Sequence, residues 1–131
     1  MAEDTAHRFV RALEALEAHH DLNDIVALFD ERSDIGNVLH PESFHGPDGA
    51  RRFWTTYRES FAEVRSTFRN RIVSADRAAL EWNTRGTSTS GSPFSYDGVS
   101  VLEIEGDKIT RFRAYFNPHA LGRQMEPNSR S

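Results

Sequence analysis

The sequence predicts an α+β fold in which three amino-terminal helices pack on a strongly curved, mostly antiparallel β-sheet and enclose a pocket. Three observations predict it. Apolar residues recur at helical spacing at the start of the chain and again between Ala50 and Phe61. From Arg65 onward the pattern changes to four strand-like segments. These are joined by the short turn signals AD, SGSP and EGD, and links that short suit antiparallel neighbours.

Between Asp4 and Ala18, the residues Ala6, Phe9, Val10, Leu13 and Leu16 mark one face of a helix, with acids early, where the helix dipole favours them. Asp21 reads as the N-cap of a second helix, DLNDIVALF, whose Leu22, Ile25, Val26, Leu28 and Phe29 are apolar. SDIGNVLH (33–40) reads as a strand that Gly36 weakens and Pro41 ends, and PESFHGPDG follows as a loop. Pro47 and Asp48 open a third helix, with Ala50, Phe53, Trp54, Tyr57 and Phe61 in one core-facing stripe. The strands then run RSTFRNRIVSA, RAALEWNTRGT, FSYDGVSVLEIE and KITRFRAYF, until Asn117 and Pro118 stop the last, and HALGRQM adds one short turn. Residues 1–121 are expected to form one domain and 122–131 a polar, disordered tail.

At 131 residues, with 37% hydrophobic and 27% charged content, the chain can bury one real core. Its net charge is −4 and its 16 basic residues are mixed among acids, which argues against nucleic acid as a partner. All but one of those cations are arginine, Lys108 being the exception, as suits a GC-rich genome. Cysteine is absent, which excludes disulfides, thiolate metal sites and cysteine nucleophiles together. The first twenty residues have neither a basic start nor an unbroken apolar run, and nothing later approaches membrane-spanning length, so a cytoplasmic protein is expected. The six histidines include neither H-x-x-x-H nor HExxH, so no metal is expected, and no motif calls for a cofactor.

Three motifs in register, DLNDIVALF at 21–29, HGPDGARRFW at 45–54 and GDKITRFRAYFNPHAL at 106–121, resemble the nuclear transport factor 2-like superfamily and its SnoaL-like and ketosteroid isomerase-like domains. The resemblance spans residues 7–121 and implies a cone-shaped fold with a pocket between sheet and helices, often dimeric through the outer sheet face. It does not imply a reaction, because one fold hosts many chemistries. The general-base aspartate of the steroid isomerases corresponds to Asn37, their oxyanion tyrosine to Phe9 or its vicinity, and their protonated aspartate to the vicinity of Val99. An amide cannot abstract a carbon-bound proton, so that chemistry is not expected. The Arg and two Asp of the limonene epoxide hydrolases correspond to Glu81, Asn83 and Ala114, so their triad is absent too.

The resemblance turns Glu81 and Asn83 of ALEWNTRGT toward the pocket and Trp82 outward. Glu81 is then the candidate base, with Asn83 and Asn37 as orienting amides and Asp34 in reserve. The competing reading pairs Glu81 with Arg85, two residues along the same face. The pocket walls are assigned to Phe9, Leu13, Phe29, Leu39, Trp54, Tyr57, Arg85, Val99, Val101, Phe112, Ala114 and Phe116. Trp82, Arg111, Arg113 and Tyr115 face outward as a homodimer surface. The expected ligand is a small, largely apolar molecule, bound either for cofactor-independent proton-transfer chemistry or by a catalytically silent member of the fold.

Overall fold

A computed structural model describes residues 2–125. It is an open, six-stranded mixed sheet with its helices gathered over one face. Helix α1 (Ala2–His19) buries Phe9, Leu13 and Leu16. It ends in a left-handed residue, His20 at φ 58°, with His20 N–H bonded to Leu16 O at 3.0 Å and Asp21 N–H to Ala15 O at 3.3 Å. The first of these bonds is the usual way a helix closes on a left-handed cap. Histidine is an uncommon choice there, and its Nε2 lies 3.0 Å from Nη2 of the buried Arg58.

The expected second helix is only one turn, α2 (Asn23–Val26), and Phe29 instead opens strand β1 (Phe29–Asn37). The last strand captures the chain here, because Ile109 N–H donates to Leu28 O at 2.8 Å. The expected loop after Pro41 is also corrected. His40–His45 is a strand, β2, paired antiparallel with β1 through Ile35 opposite Phe44. As β2 lies at the sheet edge, a proline is tolerated in it. Helix α3 (Gly46–Glu59) follows with Pro47 in its first turn.

Strands β3 (Phe61–Val73), β4 (Arg77–Ser88), β5 (Pro93–Glu105) and β6 (Lys108–Phe116) form the expected antiparallel meander. Strand β1 runs parallel to β6, which gives the order β2-β1-β6-β5-β4-β3. Asn117 then caps a real helix, α4 (Pro118–Met125), by accepting from the His119 and Ala120 amides at 3.0 and 3.2 Å. Residues 122–125 of the expected tail belong to that helix, and 126–131 lie outside the described residues. Among the described residues no helix is long and apolar enough to cross a membrane.

The core is a continuous layer between helices and sheet, with Ile25, Ile35, Leu80, Leu102 and Ile109 fully enclosed. Inward positions alternate with outward ones along each strand, so burying Leu80 fixes the facing of all of β4.

Candidate functional site: an aromatic cavity with one polar end

A cavity of about 340 Å³ lies between the inner sheet face and helices α1, α3 and α4. Its walls are mostly aromatic. Trp54 and Tyr57 project from one face of α3, being three residues apart, while Phe9 and Leu13 come from α1 at a four-residue step. Strands contribute Trp82, Tyr96, Phe112, Ala114 and Phe116. The rings brace one another edge-on, Trp54 with Phe112 at 5.1 Å between centroids and Trp82 with Tyr96 at 5.3 Å. Trp82 lies against Gly98, opposite it on β5, where any side chain would overlap the indole. Its Nε1 donates to Ser100 Oγ at 2.9 Å.

One end of the cavity is polar. Glu17, in the last turn of α1 and 5% exposed, accepts three hydrogen bonds there. The Tyr57 hydroxyl donates to Oε2 at 2.7 Å, Ser66 Oγ to the same oxygen at 2.6 Å, and the Ser66 amide to Oε1 at 2.8 Å. Ser66 Oγ also lies 2.7 Å from Thr84 Oγ1. Tyr57, Ser66 and Thr84 line the cavity, whereas Glu17 stands behind them and lines the groove between α1 and β3. Burial, reinforced by the negative charge of Glu17, pushes the Tyr57 hydroxyl well above the usual phenol range, and the same causes raise Tyr96. Both hydroxyls therefore keep their protons at neutral pH.

The facing expected for β4 is corrected. Leu80 (0% exposed), Trp82 (6%) and Thr84 (2%) point inward, so Glu81, Asn83 and Arg85 point outward and do not reach the cavity. Burying those three polar side chains instead would need partners that the aromatic wall lacks. Glu81 is bonded to Asn70 and lies 3.4 Å from Arg69. Arg85 donates to Thr67 Oγ1 at 3.5 Å, and the carboxylate of Glu81 is taken by Asn70 and Arg69, so the competing Glu81–Arg85 pair does not form either. Asn83 Nδ2 donates to Ser95 Oγ at 3.0 Å and Asp97 Oδ1 at 3.1 Å. Val99 and Val101 share that outer face, opposite Glu81 and Ala79. Phe29 belongs to the core, packed on Trp54 and Phe112, rather than to the cavity wall.

Asp34 also faces out, with Oδ1 2.5 Å from His45 Nδ1. Asn37 and Leu39 do line the cavity, beside His40. The Asn37 side-chain oxygen is committed to the tight turn after β1, accepting the Leu39 and His40 amides at 2.9 Å each. Among the described residues, no cluster of three or more His, Cys, Asp or Glu could hold a metal ion.

A family model described as the SnoaL-like domain matches residues 6–112. The chain belongs to that family. Solved structures agree on the fold of this SnoaL-like domain. An NTF2-like protein of unknown function from Burkholderia pseudomallei superposes with a TM-score of 0.83 at 19% identity, over 95% of this chain and 96% of that one. A hypothetical protein with a ketosteroid isomerase-like fold from Catenulispora acidiphila, in complex with trimethylamine, gives 0.78 at 18% identity, over 89% and 91%. TerC, co-crystallised with polyporic acid, gives 0.81 at 15% identity, over 95% and 97%. A comparison with curated protein sequences finds no match.

The sequence does not single out Ser66, Thr84 and Tyr96 on the cavity wall of this SnoaL-like domain, nor Glu17 behind them. For Glu17 a signal exists. It follows Phe9 and Leu13 at four-residue steps, which sets a carboxylate on the apolar stripe of α1. For Thr84 the signal is the plain alternation Leu80, Trp82, Thr84, and Ser66 and Tyr96 are its partners across β3 and β5.

Proposed function

We propose that this SnoaL-like domain binds a small, largely apolar molecule in its aromatic cavity. The observation that carries the proposal is the cavity itself, walled by rings and polar at one end, the usual make-up of a small-molecule site. The trimethylamine and polyporic acid complexes of two fold neighbours are consistent with it. Both tryptophans of the chain stand on the cavity wall, so their fluorescence reports occupancy. Naphthalene should change that emission saturably, and Ala114→Phe, which fills the cavity from β6, should weaken binding by about tenfold or more. Unchanged binding in a folded Ala114→Phe protein would remove the proposal.

A second reading, cofactor-independent proton transfer of the isomerase, cyclase or dehydratase kind, is favoured by His40. Its half-buried ring lines the cavity, edge-on to Phe44 at 5.6 Å, and imidazole is the side chain best suited to exchange protons near neutrality. On this reading Glu81, held on the outer face, is structural. Once a substrate is identified, His40→Gln should lower kcat about a hundredfold or more and remove a limb of its pH profile; an unaltered kcat and profile would take His40 out of the chemistry.

We also assign the outer sheet face to a homodimer. Ile72 is 70% exposed and Tyr115 44%, and Val99 and Val101 lie between them on the same face. Sedimentation equilibrium of the full chain tests the assignment.

A further inference from the structure

We infer that the molecule this cavity takes carries a hydroxyl group on its apolar body, an inference that rests on the cavity being the binding site. The argument is a count of protons at the polar end. Each hydroxyl there has one proton to donate. Tyr57 and Ser66 both donate theirs to Glu17 Oε2, at 2.7 and 2.6 Å. Ser66 Oγ can therefore only accept from Thr84, 2.7 Å away, so the Thr84 proton is directed to Ser66. What Tyr57 and Thr84 have left for the cavity is lone pairs.

Tyr96 is the opposite case. It sits across from Thr84 on β5, and among the described residues its hydroxyl has no hydrogen-bond partner. Burial keeps it protonated. The polar end thus offers the lone pairs of Tyr57, from α3, and of Thr84 as acceptors and the Tyr96 hydroxyl as donor; Trp54 Nε1, buried without a partner among the described residues, is a further donor on the same helix as Tyr57. Ser100, which accepts from Trp82, lies four residues further along β5, about 13 Å away by the strand rise, and is outside the polar end.

A carbonyl or ether oxygen, which can only accept, satisfies Tyr96 but meets the lone pairs of Tyr57 and Thr84. An ammonium, which can only donate, leaves the Tyr96 proton unmatched. A hydroxyl does both, accepting from Tyr96 while donating to Tyr57 or Thr84. In a cavity walled mainly by apolar side chains, a mismatched group at this end loses its hydration without replacement, which is how such sites discriminate.

The test uses one ring system with four substituents: naphthalene, 2-naphthol, 2-methoxynaphthalene and 2-naphthylmethylammonium, titrated calorimetrically into the full chain. The expected result is that 2-naphthol binds about tenfold tighter than each of the other three. In Glu17→Gln the new amide nitrogen donates to its neighbours, which turns a hydroxyl proton back to the cavity, so the advantage of 2-naphthol over 2-methoxynaphthalene should largely vanish. Tyr96→Phe should lower the 2-naphthol advantage over naphthalene without touching Glu17, and it decides the matter if Glu17→Gln does not fold. If naphthalene binds and 2-naphthol binds no better, the inference is overturned while the binding reading stands. If none of the four binds, both fall.

Discussion

Replacing Glu17 by leucine should destabilise the chain by roughly 3 kcal/mol or more, although leucine suits the apolar stripe of α1 better than a carboxylate does. The reason lies in what remains. Tyr57 O–H, Ser66 O–H and the Ser66 amide all donate to Glu17, within a site where Glu17 itself is 5% exposed. Taking away the acceptor orphans three donors, and each buried donor without a partner costs about 1–3 kcal/mol, less whatever the hydroxyls recover by rotating. Glu17→Gln keeps one acceptor and should lose less; Tyr57→Phe removes a single donor and should lose about 1 kcal/mol. Urea unfolding of the three variants should rank them in that order. A double-mutant cycle between Glu17→Leu and Tyr57→Phe should show coupling, since the second change removes one of the orphans created by the first. Equal losses for leucine and glutamine would mean that packing, not acceptor capacity, keeps Glu17 where it is.

The same residue shows where the sequence could be read and where it could not. The fold followed from patterns that need no partner information: the Phe9, Leu13, Leu16 stripe, the turn glycines Gly91 and Gly106 at φ 90° and 62°, and the short links between strands. Two elements escaped because a tertiary contact decides them. Phe29 leaves the helical pattern to join β1, and His40–His45 pairs as an edge strand despite its proline. The site escaped for a different reason. Strand alternation names two faces but not which is inner, and β4 carries plausible residues on both, Leu80 and Trp82 against Glu81 and Asn83. A one-residue difference in register exchanges the whole set. Burial of the indole over Gly98 settles it, and no single-strand pattern contains that contact. Polar groups inside a cavity are harder still, because Ser66, Thr84 and Tyr96 become a group only when three strands are aligned.

Val101→Glu should convert the proposed dimer to monomer while leaving each chain folded. Val101 lies mid-strand on the outer face, opposite Ala79 on one side and Arg113 on the other. With Ile72, Val99 and Tyr115 it makes an apolar strip, edged by Glu81 and Asp97 and by Arg111 and Arg113, so both charge signs border it. A two-fold axis through such a strip brings like apolar residues together and lets the borders pair with opposite signs. In the free chain the introduced carboxylate faces water, the Arg113 guanidinium being turned away to Ser43 on β2, so folding stability should change by less than about 1 kcal/mol. In the dimer it would be dehydrated, and symmetry introduces it twice. At roughly 2 kcal/mol or more for each copy, the dimer dissociation constant should rise about a thousandfold. Sedimentation equilibrium reads the constant, and unfolding of the same samples separates lost association from lost folding. A Val101→Glu protein that still dimerises with unchanged affinity would move the interface off this face.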